Sequence, residues 1–86
     1  MQPGAHPPIQ MPPRERVVTC LYADGQSAAE ISAQTRLAPS TIYSYVAHAR
    51  RRYLAAGRLA RSKLDLRARL MEEGHLPPDT AARSQP

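Results

Sequence analysis

The sequence contains no tryptophan and no phenylalanine, and Cys20 is its only cysteine. Without those two aromatics, a folded core must be built from aliphatic side chains and the four tyrosines. A single cysteine excludes an internal disulfide and suits a reducing compartment, so we expect a cytoplasmic protein. The chain also lacks a secretory signal and any apolar run long enough to span a bilayer, so we expect no membrane contact.

Charged residues are missing from the N-terminal end of the chain. Residues 1–13 hold five of the nine prolines and no Lys, Arg, Asp or Glu. Because proline removes backbone donors and the segment has few large apolar groups, residues 1–12 are predicted to be a disordered lead-in. Residues 75–86 are predicted to be a disordered tail. A single small domain then remains at residues 13–74, near the lower size limit for folding without disulfides or metals.

Strict alternation of apolar and polar residues, the pattern of a half-buried strand, is absent from the sequence. Every strong boundary signal is a helix signal, which predicts an all-α fold in the form of a four-helix bundle. Ser27 with Glu30 and Ser62 with Asp65 match the capping box, in which two side chains satisfy free amides at a helix start. The predicted helices span about residues 14–24, 28–35, 39–54 and 63–73, with Pro39 starting the third and either Leu54 or Gly57 near its end.

The second and third predicted helices form a recognisable unit with the turn between them, residues 36–38. Their lengths and spacing are typical of a helix-turn-helix, whose second helix lies in the major groove of DNA. Short helices joined by tight turns also occur in generic three- or four-helix bundles. The spacing therefore favours the DNA-binding unit and leaves the generic bundle open.

The third predicted helix has two different faces when its residues are placed on a helical wheel. One face is an apolar stripe that must point to the core, consisting of Ile42, Val46, Ala49 and Tyr53, with Tyr45 at its margin. The opposite face is small and polar, consisting of Ser40, Ser44, Ala47 and Arg51, flanked by Tyr43 and His48. No Asp or Glu occurs from Pro39 through Leu64, whereas a plain solvent-exposed helix typically carries Glu and Lys pairs. Such a face can approach the major groove closely and offer donors to it.

Basic residues are concentrated in the second half of the chain, where eight of the twelve lie between Arg50 and Arg69. This cluster predicts binding to a polyanion, most often nucleic acid, although a solvated charged surface has the same composition. Arg51 falls on the small polar face as a groove contact. Arg50 and Arg52 lie at its flanks, where they could reach phosphates or pair with a carboxylate such as Glu15 or Glu30. Further contacts to the DNA backbone are predicted for Ser40, Arg58, Arg61 and Lys63.

The segment PPRERVVTCLYADGQSAAEI, Pro12 to Ile31, carries a family pattern without gaps. The pattern continues into the third helix through Leu37, Thr41, Ile42 and Val46. On these residues the chain resembles the C-terminal DNA-binding domain of LuxR/FixJ-type bacterial transcription regulators. The resemblance covers about residues 11–54 and implies a helix-turn-helix DNA-binding domain.

That resemblance implies a four-helix domain whose third helix enters the major groove and whose fourth helix supports dimerisation. Transferred by position, it implies that Tyr43, Ser44 and Ala47 face bases, with Thr41 and His48 nearer the DNA backbone. The family often has Lys at the positions of Tyr43 and Ala47, so the contacted bases are expected to differ. Family members commonly carry a sensory domain upstream of the DNA-binding domain. In this chain the upstream segment is only the short proline-rich lead-in, so we expect any sensory input to come from a separate protein.

Patterns for catalysis and metal binding are absent from the sequence. His6, His48 and His75 with Cys20 have no metal-ligand spacing, and the sequence shows no catalytic triad, no phosphate-binding glycine loop and no carboxylate pair in a plausible pocket. We therefore expect no enzyme activity, no metal and no cofactor. The Glu72–Glu73 pair at the end of the fourth helix is expected to be solvated.

Two apolar strips run along the fourth predicted helix. Leu64, Ala68 and Met71 recur at helical spacing, and Leu66 with Leu70 forms the adjoining strip. One strip must pack on the core. The other is either a dimer surface, for which Leu64, Ala68 and Met71 are the candidates, or a further part of the core.

The favoured hypothesis is a stand-alone regulator that binds double-stranded DNA sequence-specifically as a homodimer. A second hypothesis is a small interaction factor that binds RNA polymerase or another regulator through its basic face. A third is a sigma-factor-like or phage-type fragment that contacts DNA only within a larger assembly. Binding of duplex DNA by the isolated protein across a salt series separates the first hypothesis from the others.

Overall fold

The computed structural model describes residues 9–76, which form four helices and no strand. The all-α prediction is confirmed, and each helix boundary lies within about one residue of its predicted position. Helix α1 packs against each of the other three helices, and α2 also packs against α3. The helices are α1 at Pro13–Ala23, α2 at Ala28–Thr35, α3 at Pro39–Ala55 and α4 at Lys63–Glu72.

The starts of α2 and α4 are both closed by capping boxes, as the sequence predicts. The hydroxyl of Ser27 accepts a hydrogen bond from the Glu30 amide at 3.1 Å, and the Ser27 amide donates to the Glu30 carboxylate at 2.8 Å. Ser62 and Asp65 form the same reciprocal pair at 3.0 and 3.5 Å. Helices α1 and α3 instead begin with a proline at the first helical position, where the missing amide has no helical partner to lose.

The end of α3 is set by Gly57, which has a φ of 77°. The Gly57 amide donates to the Leu54 carbonyl at 2.9 Å, and the Arg58 amide donates to the Tyr53 carbonyl at 2.9 Å. This double closure is the Schellman arrangement, which needs a left-handed residue and therefore favours glycine. It turns the chain back so that Arg58 lies above the last turn of α3.

The predicted apolar stripe of α3 forms the centre of the core. Ile42, Val46, Ala49 and Tyr53 are all buried, as predicted. Of the two apolar strips on α4, the one formed by Leu66 and Leu70 packs on the core. Both of these leucines are fully buried, whereas Leu64 of the other strip is 75% exposed. The other buried apolar residues are Met11, Val18, Ala23, Ile31 and Ala60.

The packed unit extends slightly beyond the predicted domain bounds of 13–74. Met11 is buried in the core, and Ile9 and Leu76 pack against it. The described parts of the predicted lead-in and tail therefore contribute to packing, while residues 1–8 and 77–86 lie outside the described residues. Within residues 9–76, no helix is both long enough and apolar enough to cross a membrane.

Candidate nucleic-acid interface

The turn that joins α2 to α3 is held by side chains of α2. The Ser32 hydroxyl donates to the Leu37 carbonyl at 2.7 Å, and the Thr35 hydroxyl donates to the Ile31 carbonyl at 2.8 Å. The Thr35 oxygen also accepts from the Leu37 amide at 3.3 Å. Arg36 takes a left-handed conformation with a φ of 63°, which a residue with a Cβ rarely adopts. These contacts hold the direction in which α3 leaves the turn.

The face of α3 opposite the core is open to solvent. Tyr43 is 54% exposed, and Ser40, Ser44, His48 and Arg51 are also exposed. Thr41 and Ala47 are half-buried. The structure thus places the four predicted base-facing residues on one accessible side: Tyr43, Ser44, Ala47 and Arg51. Ala47 is the least exposed of the four.

Arg52 is turned toward α1 and away from this open face. Its Nε atom donates to Glu15 Oε2 at 2.7 Å and a terminal nitrogen donates to Oε1 at 3.3 Å. Glu15 is 2% exposed, so the pair joins α1 to α3 at the border of the core. The hydrogen bond to Glu15 raises the pKa of Arg52, which keeps the guanidinium charged. Of the two roles predicted for Arg52, the structure shows the pair with a carboxylate.

The phosphate contact predicted for Arg58 is contradicted. Its side chain is 9% exposed and one terminal nitrogen donates to Glu73 at 2.7 Å, while the other contacts Glu72. The guanidinium also lies 5.4 Å from the centre of the Tyr53 ring. The two terminal nitrogens of Arg58 are thus engaged by carboxylates inside the fold, with its guanidinium against an aromatic face.

The same network corrects the prediction that Glu73 is solvated, whereas Glu72 is exposed as predicted. The Glu73 side chain is fully buried and accepts a hydrogen bond from the Tyr53 hydroxyl at 3.0 Å. His75 lies against the same carboxylate, with Nε2 at 3.4 Å. Glu72 is 37% exposed and also accepts from Arg69 at 2.9 Å. Gly57 ends α3 in a Schellman motif that returns Arg58 over Tyr53. The contact of Arg58 with Glu72 and Glu73 depends on how α4 packs, so the sequence carried no local signal for it.

Each carboxylate within residues 9–76 already has a partner inside the protein. Four of them accept from arginines: Glu15, Asp24, Glu72 and Glu73. The other two are in the capping boxes: Glu30 and Asp65. The described part of the chain therefore has no acid left to neutralise its remaining cations.

We call four of those remaining cations the basic surface: Arg50, Arg51, Arg61 and Lys63. None of the four has a carboxylate partner among residues 9–76. Arg50, Arg51 and Arg61 line one open groove. Its apolar walls include Leu54 and Leu59, which are 63% and 50% exposed. Positive potential is therefore concentrated beside the open face of α3.

Tyr22 connects this basic surface to the open face of α3. Lys63 Nζ lies 4.3 Å from the centre of the Tyr22 ring, and the Arg50 guanidinium carbon lies 6.0 Å from it. The ring also meets Tyr43 edge to face, with 6.4 Å between centroids. The helical pattern carries no signal for these contacts, since they join three different helices.

The chain was compared with protein families, curated proteins and solved structures. The family model described as Sigma-70, region 4 matches residues 9–52, which is half of the chain and includes α1, α2 and most of α3. The chain belongs to the sigma-70 region 4 family. Region 4 is a helix-turn-helix DNA-binding domain that serves in transcription rather than in catalysis. No curated protein and no solved structure matches the chain.

Membership of this family confirms the helix-turn-helix prediction over the generic bundle. The resemblance to LuxR/FixJ regulators is supported in so far as both families have a helix-turn-helix domain. The match does not support membership of the LuxR/FixJ family itself. The matched segment ends at residue 52. Arg50 and Arg51 lie within the match, whereas Arg61 and Lys63 lie beyond it, so half of the basic surface belongs to a part of the chain that the family model does not cover.

Proposed function

We propose that this protein is a transcription regulator that binds double-stranded DNA sequence-specifically, with α3 in the major groove. The observation that carries the proposal is the position of the open face of α3 beside four cations that have no carboxylate partner among residues 9–76. In this arrangement the bases are contacted by Tyr43, Ser44, Ala47 and Arg51. The DNA backbone is contacted by Ser40, Thr41, His48, Arg50, Arg61 and Lys63.

The two sets of side chains have different physical roles. Short residues such as Ser44 and Ala47 allow the helix backbone to approach base edges, while Tyr43 and Arg51 supply longer donors. Arg61 and Lys63 lie outside α3 and carry charge toward the phosphates, which gives affinity without sequence information. The proposal therefore separates specificity on α3 from general attraction on the linker and the start of α4.

Selection of preferred sites from a random duplex pool, followed by titration across a salt series, tests this function. We expect selected duplexes to bind more tightly than random duplex and affinity to fall steeply with salt. Arg51→Ala is expected to reduce the preference for the selected site. Arg61→Ala is expected to weaken all duplexes alike, with Arg14→Ala on α1 as the control for loss of one exposed charge. Binding of all duplexes with equal affinity contradicts sequence-specific recognition.

The exposed leucines of the groove favour a protein partner in addition to DNA. Leu54 and Leu59 are half or more exposed beside three arginines, and region 4 of sigma-70 also contacts RNA polymerase. We propose RNA polymerase as this partner, with binding tested by mixing the protein with purified core polymerase. Leu54→Ser is expected to weaken the complex with polymerase and to leave the affinity for duplex DNA unchanged. If the parent and Leu54→Ser bind polymerase equally well, the groove has no role in that contact.

A further inference from the structure

We propose that Tyr22 is a positioning residue for DNA binding, which orients Lys63, Arg50 and Tyr43 before DNA arrives. This inference rests on the proposed function, because all three partners are proposed DNA contacts. Tyr22 itself is half-buried in the last turn of α1. It reaches one partner on α4 and two on α3, so a single ring links the phosphate contacts to the base-facing helix.

The position of the ring is set by the packing of α1. That helix packs against both α3 and α4, which fixes its C-terminal turn relative to each of them. The face of a tyrosine ring is electronegative and attracts a cation above it, while ring edges prefer the face of another aromatic. Lys63 and Tyr43 meet Tyr22 in these two ways. The contacts therefore restrict long side chains that would otherwise sample many rotamers.

An aromatic partner leaves the cations available for phosphate in a way that a carboxylate does not. Arg52 shows the contrast, because Glu15 occupies its guanidinium with two hydrogen bonds. An ammonium above a ring keeps its full charge and still has N–H donors pointing away from the ring. Arg50 has no carboxylate partner among residues 9–76, and its Nε atom is buried without a hydrogen bond. Tyr22 thus offsets the repulsion between neighbouring cations without neutralising them.

A simpler role for Tyr22 is to fill space beside the core, against which it packs. The two roles predict different results for substitutions that keep bulk and for those that keep the ring. Tyr22→Leu keeps most of the apolar volume and removes the ring, whereas Tyr22→Phe keeps the ring and removes only the hydroxyl. Positioning depends on the ring, so the phenylalanine variant is expected to retain function and the leucine variant to lose it.

The test measures duplex affinity of the full chain for a selected site, with thermal unfolding followed in parallel. We expect Tyr22→Phe to bind within about twofold of the parent, and Tyr22→Leu to bind about three- to tenfold more weakly at low salt, as expected for losing cation–ring contacts. In the Lys63→Ala background, the loss caused by Tyr22→Leu is expected to shrink, because the two residues act through one contact. In the free protein, the side-chain methylene protons of Lys63 are expected to show upfield ring-current shifts that Tyr22→Leu removes.

The inference is overturned if Tyr22→Leu and Tyr22→Phe bind the duplex equally well while Lys63→Ala binds it more weakly. It is also overturned if the losses from Tyr22→Leu and Lys63→Ala are fully additive. In both cases the proposed function stands, since the duplex is still bound through the basic surface. If the parent binds no duplex at all, or if Arg51→Ala and Lys63→Ala leave binding unchanged, the proposed function fails and the positioning role fails with it.

Discussion

The hydroxyl of Tyr53, at the end of α3, donates a hydrogen bond of 3.0 Å to the carboxylate of Glu73, just after α4. Both side chains are fully buried. Arg58 completes the contact by pairing with the same carboxylate and lying over the Tyr53 ring. This buried network ties the end of α3 to the end of α4, and so holds the direction of the helix that carries Lys63.

Glu73→Gln is expected to destabilise the fold by about 2 kcal/mol, because Arg58 would keep only Glu72 as a charged partner in a buried site. The free energy of unfolding, measured by urea denaturation, checks this value. Glu72→Gln is the matched control, since Glu72 is 37% exposed and its loss is expected to cost less. Equal losses in the two variants would contradict the buried network.

The stability of the protein is expected to fall as pH rises above about 10, the ordinary pKa of tyrosine. Burial, and then the nearby Glu73 carboxylate, raise the pKa of Tyr53 above that value. The folded state therefore holds a proton that the unfolded state releases, and stability decreases with pH in that range. Urea unfolding from pH 8 to 11 measures the effect. Tyr53→Phe is expected to show a flatter profile, and parallel profiles would show that Tyr53 does not cause the loss.

Arg36→Gly is expected to be about 1 kcal/mol more stable than Arg36→Ala, because only glycine adopts the left-handed conformation without a Cβ penalty. Both substitutions remove the same charge and the same long side chain. The difference in stability between the two variants therefore measures the backbone strain at the φ of 63°. Thermal unfolding of the two variants provides the measurement. An alanine variant at least as stable as the glycine variant would show that the turn is not strained.

Arg52→Ala is expected to lower the unfolding midpoint and to leave the salt dependence of DNA binding unchanged. Glu15, at 2% exposure, would lose its bidentate partner, whereas no phosphate contact would be lost. Arg61→Ala is expected to behave in the opposite way, with unchanged stability and a salt slope reduced by about 1. Titrations of both variants at several salt concentrations separate the two roles. A reduced slope for Arg52→Ala would place that arginine on DNA.

The prediction that the protein forms a homodimer through its fourth helix can be tested directly. Leu64 is 75% exposed and Ala68 and Met71 are half-buried, so these three residues form the outer strip of α4. If they form the dimer surface, Leu64→Glu is expected to shift the protein from dimer to monomer in sedimentation equilibrium. Leu59→Glu, an exposed leucine outside the strip, is the control. A monomeric parent protein would show that the predicted homodimer does not form.

Helix boundaries and the two faces of α3 were predictable because their causes are local. A capping box such as Ser27 with Glu30 operates over three residues, and a stop such as Gly57 acts on the turn just before it. The buried stripe from Ile42 to Tyr53 follows from helical geometry alone. Such features depend only on residues that are close together in the sequence, so a short stretch of sequence is enough to predict them.

The sequence by itself therefore determined four helices, their ends, and an acid-free outer face on α3 next to a run of arginines. Only the tertiary structure decided which arginines remain available, because Glu15 and Arg52 are 37 residues apart and Arg58 and Glu73 are 15 apart. Their pairing depends on how α1 and α4 pack against α3, and no local pattern encodes those distances. The same packing placed Tyr22 between Lys63 and Tyr43, since side chains from three helices meet only where the helices themselves do.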